Sequence, residues 1–233
     1  MLDVIDQIRD LSQKGTHFAV CTVIKTWRSS PRPVGSCLLV TEAGEMHGSV
    51  SGGCVENAVV GKALKVLKSD QPAIATYGVT DEEAWEIGLS CGGAIEVFIA
   101  PFFGKEAPNV WEAIDKGIQE NRGTALIQSL EDGGVALLGG DERFSLAIHD
   151  QSSDMLDRRV NGKTEDDLVF VQSFPTKAKM ILIGSAHISV ELIELANLYG
   201  FETIVIDPRE TFSKKTGYRV EPSQILTNWP GKE

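Results

Sequence analysis

Residues 179–207 constrain the fold more than any other stretch. Lys179–Ile183 is a short apolar run that enters Gly184. Ile188, Leu192, Leu195 and Tyr199 then recur at helical spacing, as the apolar stripe of an amphipathic helix over 187–199. Gly200 stops that helix, and Phe201–Ile206 forms a second apolar run closing on Asp207. Strand, helix and strand in this order make a βαβ unit, whose strands pair in parallel through the crossover. The C-terminal part is therefore α/β. A doubly wound sheet needs two βαβαβ halves, and only 26 residues follow Asp207. The expectation is a partial, Rossmann-like unit with two parallel strands that must be covered. Pro175-Thr176-Lys177 reads as the linker before it, giving domains at 1–175 and 178–233.

A dinucleotide fingerprint would place G-x-G-x-x-G after the first strand and an acid about 20 residues later. The corresponding positions are Gly184, Ala186 and Ser189, followed by Asp207, with His187 opening the helix. Only the first glycine is present, and the methyl of Ala186 stands where backbone would meet pyrophosphate. Asp207 suits a ribose contact, but Asp at a strand end is also ordinary turn chemistry. NAD(P) or another nucleotide is thus a weak expectation. An oxidoreductase resting on these residues is one alternative function, and a regulatory or interaction protein of the same fold that binds no ligand is the other.

The first 175 residues have a different pattern. Val4, Ile5, Ile8 and Leu11 predict a helix over 2–12, stopped by Gly15. His17–Thr26 predicts a strand buried on both faces, and 34–41 with 45–50 a hairpin around Glu42-Ala43-Gly44. A helix from about Cys54 to Leu67, strands at 73–77 and 94–100, and a helix at 108–121 follow. Then come a hairpin turning at Glu131-Asp132-Gly133, a strand at 143–149, a polar helix or loop at 151–161 and a strand at 168–173. The expected architecture is an α+β mixed-sheet domain ahead of the βαβ unit.

Composition narrows the functions. With 22 Lys and Arg against 33 Asp and Glu the formal charge is −11. That argues against nucleic acid, whose binding relies on basic side chains, and against anionic membrane surfaces. No apolar run reaches the ~18 residues of a membrane span, and the charged N-terminus is no signal peptide. Four Cys without close pairing suit reduced thiols in the cytoplasm. Glycine is in surplus, 23 of 233 residues or roughly 10% against a usual ~7%. Much of it gathers in three segments between regular elements: Arg28–Gly35, Ser49–Glu56 and Gly88–Gly93.

Cys54 is the most informative residue there. If the helix starts at Cys54, Gly53 serves as N-cap and Glu56 takes the third position, as in a degenerate capping box. A thiol in a first turn faces open N–H groups and the positive dipole end, which favours thiolate and soft or transition metals. The competing reading is a small buried apolar residue. Cys91, before Gly92-Gly93, sits either in a loop whose N–H groups face an anion or in a tight turn. Ser51, Gly52 and Gly53 offer a similar loop. A zinc site from Cys54, Cys91 and His47 lacks C-x₂-C spacing. Cys21 and Cys37 fall in strands and read as core. Arg28 and Arg32 stand in a loop stiffened by Pro31 and Pro33, suited either to a small anion such as phosphate or to plain solvation.

Taken in order, SSPRPVG, GSVSGGCVENAV and DEEAWEIGLSCGG resemble the XdhC/CoxI family, over about residues 5–101. MILIGSAHIS and IVIDPRETF resemble the family's C-terminal Rossmann domain, over about 178–230. Family members usually continue for roughly another half-domain. These are accessory factors for molybdenum hydroxylases such as xanthine dehydrogenase. The resemblance implies a chaperone rather than a catalyst. It would bind molybdenum cofactor (molybdopterin), support its sulfuration by a cysteine desulfurase and deliver it to the hydroxylase apo-enzyme, as a homodimer. By motif, Cys54 is the candidate contact to molybdenum, Cys91 is second, and Arg28 and Arg32 serve the pterin phosphate.

Overall fold

A computed structural model describes residues 1–78, 93–140, 143–209 and 217–229. The chain divides into two compact units, Met1–Pro175 and Thr176–Glu233.

The N-terminal unit opens with a 3-10 turn, Leu2–Val4, running into α1 (Ile5–Gln13). A five-stranded sheet follows, built from β1 (Phe18–Trp27), β2 (Cys37–Thr41), β3 (Met46–Gly48), β4 (Ala73–Tyr77) and β5 (Ala94–Pro101). Its order is β3-β2-β1-β5-β4, antiparallel throughout. The period of two sends alternate side chains of β1 to two cores. Ala19, Cys21 and Val23, with Leu38 and Val40, meet Val59, Ala63 and Val66 of α2 (Glu56–Ser69). Phe18 and Val20, with Cys37 and Leu39, meet Ile8 and Leu11 of α1 and Ile114 of α3 (Pro108–Gln119). Both faces are covered, so β1 reads as one apolar run. Cys21 and Cys37 are fully buried, and burial pushes the Cys21 thiol well above the usual range.

The second sheet takes β6 (Thr124–Ser129), β7 (Val135–Leu137), β8 (Gly162–Lys163) and β9 (Val169–Phe174) in the order β7-β6-β9-β8, again antiparallel. Residues 143–149 do not form the expected strand. Leu146–Asp157 is one helix, α4. Ser145 in extended conformation precedes the helix start as an N-cap residue.

The C-terminal unit is parallel: β10 (Lys179–Ile183), α5 (His187–Leu198), β11 (Glu202–Ile206) and β12 (Gln224–Leu226), in the strand order β10-β11-β12. The third strand corrects the two-stranded expectation. Its three residues, Gln-Ile-Leu, are too few to announce a strand. Pairing of β11 with β12 puts Ile204–Ile206 in the sheet's centre, where Val205 is fully buried. The expected helix stripe is also corrected. Ser189, Ile193 and Ala196 face inward, while Ile188, Leu192, Leu195 and Tyr199 are exposed.

Candidate functional site

Antiparallel pairing carries the glycine-rich segments to one end of the first sheet. Trp27, at the end of β1, pairs with Ala94, at the start of β5. Cys37 pairs back to Thr22, and Gly48 pairs with Leu38. The loops after β1 and after β3 therefore leave the sheet at the end where Gly93 leads into β5.

Contacts confirm the juxtaposition. A Cβ on Gly93 would lie 2.0 Å from the Ser29 carbonyl oxygen and 3.1 Å from that of Trp27. Only glycine lets residue 93 lie so close on the first segment. A Cβ on Gly52 would touch the Pro31 ring at 3.5 Å. Arg32 Nε donates to the Ser49 carbonyl at 3.2 Å. Gly35 makes room for Asn161, whose side chain would lie 2.2 Å from a Cβ there. Cys91 and Gly92 lie outside the described residues.

Glu56 organises the second segment. The structure starts α2 at Glu56, with Val55 as N-cap, so Cys54 precedes the helix instead of occupying its first turn. The Glu56 carboxylate folds back over the loop. Its Oε1 accepts from Ser49 Oγ at 2.7 Å, Ser51 N at 2.9 Å and Val50 N at 3.2 Å. Its Oε2 accepts from Gly53 N at 2.9 Å and from the Ser51 hydroxyl. Burial works against the charge, but donation from the hydroxyls of Ser51 and Ser49 and from backbone N–H groups outweighs it. The carboxyl is held down at about 2. The reach-back bond of the expected capping box, Gly53 N to Glu56, is present, as one part of a wider carboxylate clasp. The signal in the sequence was Ser49-x-Ser51 lying five to seven residues before an acid.

The clasp alters the expected anion cradle. The N–H groups of Val50, Ser51 and Gly53 go to Glu56, that of Gly52 to Ser49 Oγ at 2.8 Å, and that of Val55 to Ser51 Oγ at 3.0 Å. What the loop does present is Cys54, half-buried, beside Gly52 and Gly53 at φ of 79° and 113°. Among the described residues nothing lies within 4 Å of a Cβ placed on Gly53. Cys54 itself also packs against the core formed with α2, as the competing reading of a small apolar residue expects.

The two arginines differ. Arg32, expected as an anion ligand, is committed to Asp3 and to the Ser49 carbonyl. It ties the first segment to the second and to the N-terminal turn. Arg28 is exposed at φ 57°, and among the described residues it makes no ion pair. A soft thiol, open backbone and one available guanidinium fit part of a negatively charged metal-bearing ligand. The backbone amides do not complete the set.

In the C-terminal unit Gly184 has φ 104°, and its N–H donates to the Ile206 carbonyl at 2.8 Å. Ala186 is the N-cap residue of α5 and His187 its first helical residue. Asp207 is fully buried. Its carboxylate accepts from Arg209 Nε at 3.0 Å, from the other arm of that guanidinium at 2.9 Å and from Ser185 N at 2.7 Å. The Arg209 contacts hold it well below the usual carboxylate range. The acid expected to meet a ribose is engaged inside its own unit.

Comparison with known proteins agrees with the motif reading. Residues 11–78, which include Arg28, Arg32 and Cys54, match the XdhC and CoxI family. A Bacillus subtilis (strain 168) protein, named as a probable subunit of xanthine dehydrogenase, is 22% identical over 217 residues, covering 91% of this chain and 65% of that protein. The molybdenum cofactor insertion chaperone PaoD of Escherichia coli (strain K12) is 36% identical over 86 residues, 36% of this chain and 26% of that one. A crystal structure described as a xanthine dehydrogenase from Bacillus halodurans superposes with a TM-score of 0.65 at 22% identity, over 98% of this chain and 69% of that chain. The chain thus spans about two thirds or less of the length of the two curated relatives. The last likeness establishes a shared mixed α/β fold. Among the described residues no helix is long and apolar enough to cross a membrane. The match to the XdhC and CoxI family spans residues 11–78, where the first two motifs lie.

Proposed function

We propose that this chain carries molybdenum cofactor as cargo for a molybdenum hydroxylase. The observation that supports it best is the meeting of the Arg28–Gly35 loop with Gly93 and with Gly52 and Ser49 of the loop that carries the half-buried Cys54. Thiolate is the side-chain ligand suited to a soft or transition metal centre. Arg28 stands on the same loop cluster to meet a phosphate. The likeness to an insertion chaperone points the same way. In this reading the chain holds and hands over its cargo without turnover of its own. Sulfuration of the held cofactor by a cysteine desulfurase, and delivery to a xanthine dehydrogenase-type apo-enzyme, are the steps it would serve. The engagement of Asp207 by Arg209 counts against the alternative of a nucleotide-dependent oxidoreductase.

The test is cofactor retention. Purified protein is incubated with molybdenum cofactor, desalted and extracted, and the oxidised pterin is read by fluorescence. Cys54→Ser should retain at least tenfold less pterin than wild type. Undiminished retention by the variant removes Cys54 from the role.

A further inference from the structure

The Arg28–Gly35 loop is held from outside its own sheet. Asn161 stands just before β8, and its side-chain Nδ2 donates to the Val34 carbonyl at 3.2 Å. The Asn161 Oδ1 accepts from Ser173 N at 2.8 Å and from Gln172 Nε2 at 3.0 Å. Ser173 N is a backbone donor, so it fixes the oxygen end of the amide on β9 and turns the NH₂ end to the loop. One amide thus bridges the second sheet to the first glycine-rich segment. Two residues on, Lys163 Nζ donates to Glu96 Oε2 at 2.7 Å, with both side chains mostly buried. Glu96 lies three residues after Gly93 and pairs with Lys25 of β1. Residues 161–163 therefore brace both the loop after β1 and the start of β5.

We propose that Asn161 is a positioning residue for Arg28: by holding Val34, it sets where the loop carries that guanidinium. The role of Arg28 rests on the cargo reading proposed for this chain; the brace does not. The loop and the amide are fitted to each other, because a Cβ on Gly35, at φ 89°, would lie 2.2 Å from Asn161 Nδ2. The Val34 side chain packs on the core that holds Phe170 of β9. Val34 is thus gripped by side chain and backbone together. Beside it, the loop borders a cavity of about 340 Å³ together with Gln172 and Ser173. Packing does not fill that space, so the Asn161 hydrogen bonds set the distance between loop and sheet. The stretch from Arg28 to Val34 is stiff. Pro31 and Pro33 fix two φ angles, and Ser30 Oγ donates to the Arg32 carbonyl at 2.9 Å. A shift at Val34 is therefore passed along to Arg28.

Asn161→Asp tests this on the full chain. It keeps the size and both bonds to β9, but it sets a carboxylate oxygen against the Val34 carbonyl. Hydrogen exchange read by mass spectrometry should then speed about tenfold or more in peptides covering 28–36, the scale of one lost hydrogen bond. In wild type Gly35 N is bonded to the Val23 carbonyl and Ser36 N to that of Pro33. Peptides of β6 and α2 should exchange as before. Gly35→Ala pushes the contact apart from the other side and should give the same pattern, which keeps the test open if the Asp variant does not fold. Pterin retention should fall about fivefold or more in Asn161→Asp and in Arg28→Ala, and no further in the double variant, because both act through one guanidinium. Unchanged exchange over 28–36 in both loop variants, or losses that multiply in the double variant, overturns the proposal. Exchange is read without cofactor, so a wild type that retains no pterin overturns the cargo reading and leaves exchange to decide the brace.

Discussion

Replacing Glu56 with Gln tests whether one carboxylate holds the Cys54 loop. The amide keeps the size but loses the charge, and it turns an NH₂ toward donors. In the native loop one oxygen receives Gly53 N and the Ser51 hydroxyl, while the other receives Ser49 Oγ, Ser51 N and Val50 N. With Nε2 in place of either oxygen, at least two donors lose their acceptor. Each orphaned donor costs about 1–3 kcal/mol, so the variant should lose about 2–6 kcal/mol. The pH dependence gives a second measure of the same effect. The folded group titrates at about 2 against roughly 4.3 for a free Glu. A depression of that size corresponds to at most about 3 kcal/mol. Solvent around the exposed Gly52 and Gly53 lowers this to about 2 kcal/mol.

The sign follows from the depressed folded value. This stability is fully present above about pH 4.3 and is lost as pH falls toward about 2. Urea unfolding followed by circular dichroism at pH 7, 5, 4 and about 3 reads it. The gap between wild type and Glu56→Gln should be widest at pH 5–7 and narrow by about half or more in the most acid sample. A gap under about 0.5 kcal/mol at pH 7, the size of an ordinary surface change, refutes the clasp. So does a gap that stays constant with pH.

Two further sites probe the loop cluster. Gly93→Ala places a methyl 2.0 Å from the Ser29 carbonyl. Overpacking of that kind costs about 1–3 kcal/mol, and limited proteolysis should cut the Arg28–Gly35 loop faster; unchanged melting and cleavage would refute the close approach. Arg28→Ala should weaken pterin retention while leaving melting unchanged. Arg32→Ala should lower stability by about 1 kcal/mol, as expected for a partly exposed pair, with retention per folded molecule preserved. The reverse pattern would exchange their roles.

The pattern of apolar residues was enough to place most elements. The apolar run of β1, the stop at Gly15 and the turn at Glu131-Asp132-Gly133 are local consequences of side-chain chemistry, and the structure forms each of them. The motif residues Cys54, Arg28 and Gly93 were also visible as members of glycine-rich segments. Their meeting at one end of a sheet was not, because it depends on strand order and register between segments up to about 65 residues apart.

The sequence by itself determined that residues 179–206 form strand, helix and strand, since periodicity is a property of neighbouring residues. Only the tertiary structure decided which stripe of α5 turns inward. Ser189 and Ala196 are small, so the helix lies close to its strands on that side, and the bulkier Ile188, Leu192, Leu195 and Tyr199 are left outside. Glu56 obeys the same distinction. Its position suggested a helix cap, but the folded loop surrounds the carboxylate with five donors, and a charge goes where its hydrogen bonds can be completed.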